Sequence, residues 1–321
     1  MEADVKFMRR ALQLASYGRG HVSPNPMVGA VIAAPDGRII GEGWHRRYGS
    51  AHAEVNAFAS VKADDECLIP ESTIYVSLEP CSHYGKTPPC AELLISKGIA
   101  RCVAAATDPN PKVSGRGLDM LRAAGIEVHT GVLEAEAKAL NKTFFTAHTL
   151  HRPFVTLKWA QSADGFIDGH FSGALARQIC HNRRAQADAI IVGAGTALVD
   201  NPSLNVRDIS GRSPRRVVLD RHGLVDDRMP DALHYSDGRS IASLLASLYA
   251  EHGITSVLVE GGAGVLTGFI ESGLWDEAYV EVSPERIHGK IKAPSTGCAP
   301  VRCTPAEANL IFEYVNLCPV P

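Results

Sequence analysis

The sequence predicts an α/β protein built from two domains. It has 321 residues, whereas single domains usually run to roughly 100–200. Extended and helical patterns alternate through its first half, and a similar alternation restarts near residue 150. We therefore place a boundary within residues 147–152 and expect one domain over 1–148 and a second over 149–321, with no long flexible linker.

The first half predicts helices packed against a mixed sheet. Residues 1–16 form an amphipathic pattern, and two apolar runs at 27–34 and 38–45 flank the turn Pro35-Asp36-Gly37, which indicates a hairpin. The remaining patterns predict helices at 52–61, 89–98, 115–125 and 133–149, and strands at 73–78, 100–107 and 126–131.

The second half opens with an Arg-Pro break at 152–153 and an extended run from Phe154 to Gln161. Strands rich in valine and isoleucine follow, and several of them lead into glycines; they lie within 187–200, 215–220 and 254–273. This arrangement predicts a second α/β domain.

Composition excludes several classes of protein. The net charge of -3 argues against a broad surface that binds nucleic acid or lipid. The sequence has no run of roughly 18 apolar residues, so we expect no membrane span. The N-terminus lacks the apolar core of a signal peptide. Eight cysteines in a chain of this size do not form a disulfide-dense pattern, so we expect a reducing cytoplasm.

Four residues of the first half predict a catalytic zinc site. Catalytic zinc takes three protein ligands and keeps one position open for water, and His52, Cys81 and Cys90 supply the three. Cys90 falls in the first turn of a predicted helix, whose dipole favours a thiolate. Glu54 is the candidate proton carrier, because zinc deaminases combine His-x-Glu with a later Pro-Cys and would use a zinc-generated hydroxide.

Each of these residues has a plainer interpretation. Taken singly, His52 is more often a core or surface histidine, the cysteines buried thiols, and Glu54 a solvated helix charge. A structural zinc site would need a fourth protein ligand. Their order and spacing together favour the deaminase, although Cys81 and Cys90 lie nine positions apart rather than in the short Pro-Cys-x-x-Cys form.

Four segments resemble one family in particular. "SPNPMVGAVI" (23–32), "AHAEVNA" (51–57), "EPCSHYGKTPPC" (79–90) and "DPNPKVSGRG" (108–117) look like the deaminase half of the bifunctional riboflavin-biosynthesis deaminase/reductase. The resemblance implies a cytidine-deaminase-like domain that deaminates a phosphoribosylamino-diaminopyrimidinone, with Glu54 as proton carrier. It places further polar residues around the substrate: Asn25, His45, His83, Lys86 and Asn110. Lys86 and His83 also suit the substrate phosphate.

The second domain carries the matching half of the resemblance. "SVLVEGGAGVL" (256–266) reads as a strand, a glycine turn and a helix, a connection that admits a phosphate but is weak evidence alone. With "TLKWAQSADG" (156–165) and "VGAGTALVDNPSLNVR" (192–207), it resembles a dihydrofolate-reductase-like reductase that uses NADPH. The implied cofactor residues are Ala160, Thr196, Asp200, Gly262, Ala263, Gly264, Val265, Leu266, Thr267 and Gly268, and the implied substrate residues are Arg184, Leu204, Arg207 and Glu260. Lys158 is a further polar candidate beside the reacting sugar.

One segment departs from the family pattern. Many members carry a Ser-x-Trp-Ile element before the helix that follows the Ser-x-Asp-Gly motif, whereas residues 166–176 here read "FIDGHFSGALA". A chain with only deaminase activity and a weakened reductase domain therefore stays open as an alternative, and a nucleic-acid editor is a more distant one. The partners we expect are a small phosphorylated pyrimidine and, from the resemblance, further copies of the chain.

Overall fold

The computed structural model describes residues 2–84, 88–110, 114–225 and 228–317. The chain divides into two compact units, Met1–Thr149 and Leu150–Pro321. In the part of the chain that is described, none of the helices combines the length and the apolar character needed to span a bilayer.

The first unit is organised around a five-stranded mixed sheet. Its strands are β1 (Gly29–Ala33), β2 (Ile39–Trp44), β3 (Thr73–Val76), β4 (Arg101–Ala104) and β5 (Glu127–Thr130), in the order β2-β1-β3-β4-β5. Strand β1 is antiparallel to β2 and β3, and the other pairs are parallel. The predicted hairpin and mixed sheet are confirmed.

Helices cover the strands of this sheet. They are α1 (Glu2–Ser16), α2 (Ala53–Ala59), α3 (Cys90–Lys97), α4 (Arg116–Ala123), α5 (Glu134–Leu140) and α6 (Lys142–Leu150), and a 3₁₀ helix spans Ala63–Glu71. Helix α3 ends at Gly98, whose left-handed conformation (φ 67°) suits a residue without a side chain. The amphipathic pattern predicts that one face of α1 is buried. The structure agrees, since Phe7, Met8 and Ala11 lie in the hydrophobic core.

The prediction of one long helix over 133–149 is wrong. Two helices, α5 and α6, meet at Asn141, which has left the helical conformation (φ -105°, ψ 25°). The Asn141 side chain is 2 % exposed and bonds both backbone groups of Met27, accepting from its N–H and donating to its C=O at 2.8 Å each. This tertiary contact competes with the helical hydrogen bonds, and local periodicity does not reveal it.

The second unit contains an eight-stranded sheet. Its strands are β6 (Phe154–Gln161), β7 (Ala189–Gly193), β8 (Arg215–Leu219), β9 (Leu233–Tyr235), β10 (Ser256–Val259), β11 (Glu277–Val282), β12 (Arg302–Ala306) and β13 (Asn309–Val315). They are ordered β12-β13-β11-β6-β10-β7-β8-β9, and the run from β11 to β9 is parallel. The sequence had indicated β6, β7, β8 and β10, but not the hairpin β12–β13.

Four helices pack on this sheet: α7 (Ala174–Gln186), α8 (Ala194–Asp200), α9 (Ile241–His252) and α10 (Ala263–Glu271). Alternate residues of β6, including Leu157 and Trp159, join α9 and α10 in one core. Lys158 lies on the opposite face. Strands β7 and β10 are adjacent and parallel, so the turns into α8 and α10 meet at one sheet edge, where α/β proteins commonly bind ligands.

Candidate active sites

Three side chains of the first unit converge as a metal-binding cluster. His52 Nδ1 lies 3.6 Å from Cys81 Sγ and 3.3 Å from Cys90 Sγ, and the ligand atoms of the three residues all lie within 4.8 Å of one another. In tetrahedral zinc sites the corresponding nitrogen–sulfur separation is about 3.6 Å, from bond lengths of about 2.0–2.1 and 2.3 Å. The cluster therefore fits zinc and leaves one position for a ligand that is not protein.

The backbone explains how residues so far apart in sequence meet. His52 immediately precedes α2, Cys90 is the first residue of α3, and Cys81 lies in the connection between β3 and α3. The Cys90 backbone N–H donates to Cys81 Sγ at 3.2 Å. The hydrogen bond between the two thiols lowers the pKa of Cys81 to about 4 and raises that of Cys90, so the pair readily supplies a thiolate.

Glu54 is a buried carboxyl group beside this cluster. Its side chain sits in the first turn of α2 and is 3 % exposed. Burial raises the pKa of Glu54 to about 7, and the neighbouring Cys81 thiolate adds to the effect. Such a group can take up and release a proton near neutral pH, which is what acid/base catalysis requires.

Asn25 and His45 lie next to the metal-binding cluster. Asn25 Nδ2 is 3.2 Å from His45 Nε2, and the other ring nitrogen of His45 is 3.1 Å from the carbonyl oxygen of Ala51. The His45 and His52 rings meet edge to face with centroids 5.5 Å apart. These predicted substrate residues are therefore adjacent to the ligands, and their mutual contacts fix their orientation.

Sequence reasoning missed a buried carboxylate, Glu79. Its oxygens accept hydrogen bonds from the backbone N–H groups of Asp108 (3.2 Å), Gly115 (2.9 Å) and Gly117 (3.0 Å). A Cβ at Gly117 would stand 1.9 Å from the Pro80 carbonyl oxygen, so only glycine permits this approach. Glu79 thus ties the 108–117 segment to the turn that carries Cys81. An acidic residue directly after an apolar strand was the available signal.

Two polar residues, Asp108 and Asn110, lie beside the Glu79 contacts. Asn110 is placed by its backbone N–H, which donates to Asp108 Oδ1 at 2.7 Å. Burial raises the pKa of Asp108 to about 6, and the hydrogen bond from the Asn110 backbone N–H partly opposes this rise. His83 is exposed in the connection between β3 and α3. Asp108 was not among the predicted residues. Lys86 lies outside the described residues.

In the second unit, the predicted cofactor segments meet at the sheet edge. Gly262 precedes α10 with no side-chain cap from the described residues, and a Cβ there would lie 3.3 Å from Thr196 Oγ1 of α8. Around Gly264 the space is open. The turn into α10 thus lies against Thr196 at a helix N-terminus, a place where backbone N–H groups commonly bind phosphate.

The other predicted cofactor residues differ in accessibility. Ala160 lies near the carboxyl end of β6, and Asp200 is exposed at the end of α8. Ala263, Gly264, Val265, Thr267 and Gly268 lie in α10 and are at least partly accessible. Leu266 is 0 % exposed in the hydrophobic core, so its side chain cannot reach a ligand.

A charged cluster lies at the carboxyl end of β10. Glu260 accepts from Arg184 Nε at 2.9 Å and from Nη2 at 2.7 Å, and Cys180 Sγ lies 3.4 Å from the same carboxylate. Burial would raise the pKa of Glu260, but the Arg184 hydrogen bonds and the Lys158 charge outweigh it and the pKa is lowered. A carboxylate at the end of an apolar strand is expected to have partners. Arg184 of α7 and the charge of Lys158 of β6 are those partners.

Arg207 and Leu204 occupy the loop next to this cluster. Arg184 also donates to the Asn205 carbonyl oxygen at 3.2 Å, and the exposed Arg207 guanidinium donates to Ser203 Oγ at 3.0 Å. The Arg207 backbone N–H donates to Nδ1 of His181, a buried residue that sequence reasoning missed. Leu204 is 3 % exposed and packs in a core cluster, so its side chain anchors the loop to the hydrophobic core.

The two folds and sites define a class of two-domain enzymes, a zinc deaminase followed by a reductase. The cytidine and deoxycytidylate deaminase zinc-binding region matches residues 1–106, and the RibD C-terminal domain matches residues 153–296. The chain is 37% identical to the riboflavin biosynthesis protein RibD of Aquifex aeolicus, with 88% of each covered. It is 39% identical to that of Bacillus amyloliquefaciens, covering 90% of this chain and 86% of the relative. The chain belongs to the RibD family.

Solved structures agree with this assignment. RibD of Acinetobacter baumannii superposes with a TM-score of 0.89 at 32% identity, covering 98% of this chain and 99% of that one. A diaminohydroxyphosphoribosylaminopyrimidine deaminase/5-amino-6-(5-phosphoribosylamino)uracil reductase of Thermotoga maritima gives 0.87 at 37% identity, with 97% and 98% covered. The expected cytidine-deaminase-like and dihydrofolate-reductase-like folds are confirmed, and a deaminase without a working reductase is not favoured.

Proposed function

We propose that the chain catalyses two consecutive steps of riboflavin biosynthesis. The first is the hydrolytic deamination of 2,5-diamino-6-(5-phosphoribosylamino)pyrimidin-4-one. The second is the NADPH-dependent reduction of its ribosyl group to ribityl. The observation that carries the proposal is the convergence of His52, Cys81 and Cys90 beside the buried carboxyl group of Glu54, in a chain that also carries the reductase domain.

Residues 1–148 carry the deamination. Zinc held by His52, Cys81 and Cys90 supplies a nucleophile from water near neutral pH. Glu54 takes one proton from water and gives it to the ring nitrogen as the oxygen adds to the ring carbon. It then takes the remaining proton from the added hydroxyl and gives it to the amino group, so that the C–N bond breaks, a C=O bond forms and ammonia leaves.

The pyrimidine lies against residues that surround the cluster. Asn25 offers its amide to the ring edge, and His45 is held by Asn25 on one nitrogen and by the Ala51 carbonyl on the other. His83, Asn110 and Lys86 are assigned to the polar side of the pocket, where the substrate carries its sugar phosphate.

Residues 149–321 carry the reduction. NADPH supplies the hydride that the open-chain imine of the sugar accepts. The Gly262–Gly268 segment and Thr196 would hold the cofactor, together with Ala160 and Asp200. The pyrimidine sugar phosphate would lie by Lys158, Arg184, Leu204 and Arg207, and the exposed Arg207 guanidinium suits the phosphate, since a guanidinium can bind phosphate through two hydrogen bonds.

Two further properties go with this function. Zinc binding requires that Cys81 and Cys90 stay reduced, and both are free thiols in the structure, which supports a cytoplasmic location. The family resemblance supports a homo-oligomer. Equilibrium sedimentation of the purified chain tests the second property, and a monomer at micromolar concentration would overturn it.

The decisive experiment supplies the diaminopyrimidinone substrate with and without NADPH. The chain should contain about one zinc ion, release ammonia in both cases, and consume NADPH only after ammonia appears. A Glu54→Gln variant should keep its zinc and lose ammonia release by about 100-fold to 10,000-fold, the usual range for a general acid/base.

A Glu66→Gln variant is the matched control, because Glu66 is an exposed carboxylate of the same unit. It should release ammonia at the wild-type rate. Undiminished ammonia release by the Glu54→Gln variant would overturn the deaminase assignment. Failure of the wild-type chain to oxidise NADPH with the deaminated intermediate would overturn the reductase assignment.

A further inference from the structure

A small pocket lies between α7 and the face of the sheet that carries Lys158. Lys158 comes from β6, Cys180 and Arg183 from α7, and Tyr279 and Glu281 from β11. Lys158 pairs with Tyr279 in the parallel register, which places Glu281 two residues further on the same face. The pocket thus contains a carboxylate that neither the sequence nor the proposed reaction assigns.

Two carboxylates, Glu260 and Glu281, contribute negative charge around Lys158. Arg184 engages both oxygens of Glu260, so that carboxylate is already paired. The Lys158 ammonium makes no hydrogen bond or ion pair with a side chain of the described residues. Burial would lower the pKa of Lys158, but the charges of Cys180, Glu260 and Glu281 outweigh it and keep the ammonium protonated. Glu281 lines the same pocket as Lys158 and, among the described residues, is not paired with an arginine as Glu260 is.

Glu281 is held rigidly in this place. It is 3 % exposed, and it accepts from Ser172 Oγ and from Asn309 Nδ2, both at 2.6 Å. Asn309 also donates to the Phe171 carbonyl oxygen at 2.8 Å. Ser172 and Phe171 belong to the shortened 166–176 segment, and Asn309 begins β13 of the C-terminal hairpin. Glu281 thus joins this segment and the hairpin to the pocket of Lys158.

We propose that Glu281 is a positioning residue of the reductase step: its buried negative charge attracts the Lys158 side chain across the pocket that both line, and couples that pocket to the shortened segment and the hairpin. The proposal rests on the proposed function, because Lys158 is assigned to the sugar. In this chain the segment that lacks the family's tryptophan element contributes through Ser172, whose hydroxyl fixes one oxygen of Glu281.

A Glu281→Gln variant tests the charge separately from the packing. Glutamine keeps the length of the side chain and an oxygen for Ser172, but it removes the negative charge. We expect kcat of NADPH oxidation with the deaminated intermediate to fall at least about tenfold, while KM for NADPH stays within about twofold. Glu281→Asp, which restores the charge, should recover part of the lost kcat. Ammonia release should match that of the wild type.

A Glu307→Gln variant is the matched control. Glu307 is a carboxylate of the same hairpin that accepts from the Leu175 backbone N–H at 3.2 Å, but it does not line the pocket. Its kcat should be that of the wild type. The proposal is overturned if Glu281→Gln retains wild-type kcat, or if Glu281→Asp shows no recovery over Glu281→Gln. A wild-type chain that fails to oxidise NADPH would instead overturn the proposed function.

Discussion

The metal-binding cluster and the charged cluster differ in what satisfies their buried groups. In the first, His52, Cys81 and Cys90 point their donor atoms at one another, and two sulfurs and a nitrogen share one small volume. In the second, Arg184 and Glu260 form a complete ion pair within the chain. The first site therefore needs an outside cation to balance its thiolates, whereas the second is balanced before any ligand binds.

The difference teaches which perturbations each site tolerates. Removing a ligand from the first cluster removes the cation and with it the chemistry, but leaves small groups that can repack. Removing one partner from the second cluster leaves a buried charge without its counter-charge, so stability and activity fall together. The variants below test this distinction, beginning with the largest expected effect.

Cys90→Ser should abolish deamination and spare the reductase. A hydroxyl is a poorer zinc ligand than a thiolate, so zinc content should fall well below that of the wild type. Ammonia release should drop at least about 1,000-fold, which corresponds to several kcal/mol of lost metal stabilisation. Elemental analysis and an ammonia assay measure both effects, with NADPH oxidation of the deaminated intermediate as the internal reference.

Cys67→Ser is its matched control, because Cys67 is an exposed thiol of the same unit. Its zinc content and activity should be unchanged. If Cys90→Ser kept both zinc and ammonia release, the metal-binding cluster would not be the deaminase centre.

Glu260→Gln should reduce both reductase activity and stability. The Arg184 side chain is 12% exposed, so loss of the carboxylate charge leaves a nearly buried guanidinium without its counter-charge. Breaking a buried ion pair in this way costs about 3–5 kcal/mol. We expect kcat of NADPH oxidation to fall about 100-fold, and the urea midpoint for the loss of that activity to fall with it.

Glu251→Gln, a change at an exposed carboxylate of α9, is the reference for this variant. It should leave both quantities within error of the wild type. A Glu260→Gln protein that lost activity at unchanged stability would show that the ion pair contributes little to folding, and the contrast between the two clusters would fail.

Glu79→Gln should weaken substrate binding by the deaminase but leave zinc in place. Three backbone N–H groups of the 108–117 segment donate to the two oxygens of Glu79, and an amide offers only one oxygen. An unsatisfied buried donor costs about 1–3 kcal/mol, so KM for the pyrimidine should rise roughly tenfold.

The exposed Glu71→Gln change provides the comparison, and zinc content should stay at the wild-type level in both proteins. Loss of zinc from Glu79→Gln would show instead that Glu79 supports the metal ligands rather than the substrate segment. This variant separates two parts of the first site. The zinc ligands are recognisable from the sequence motif, whereas the Glu79 contacts arise only from the tertiary structure.

The first site could be predicted further than the second because its chemistry is local. Zinc ligation constrains residue types and spacing, so His52, Glu54, Cys81 and Cys90 are recognisable in the linear sequence, and the structure brings the three ligand side chains together. Glu79 and Asp108 were missed, since their importance lies in backbone N–H groups and burial that no motif encodes.

The second site is assembled from residues spread between Lys158 and Glu281, and no spacing rule links them. Family resemblance supplied Arg184 and Glu260, and physical reasoning added only that Glu260 requires partners. His181 and Glu281 depend on the packing of α7 and on the C-terminal hairpin. The sequence predicts these elements poorly, because short strands such as β12 carry weak patterns.

Asn141→Ala tests the one helix prediction that the structure contradicts, and its effect should be the smallest. The variant removes two hydrogen bonds to the backbone of Met27 and leaves a partly buried N–H and C=O without this partner. The free energy of unfolding should fall by about 1–3 kcal/mol, even though alanine favours a helix more than asparagine does. The urea midpoint for the loss of ammonia release measures it, with kcat before unfolding unchanged. Gln13→Ala, at an exposed helix position, should stay within about 0.5 kcal/mol. An equally small change for Asn141→Ala would mean that the helix break is set by local propensity and not by the contact with Met27.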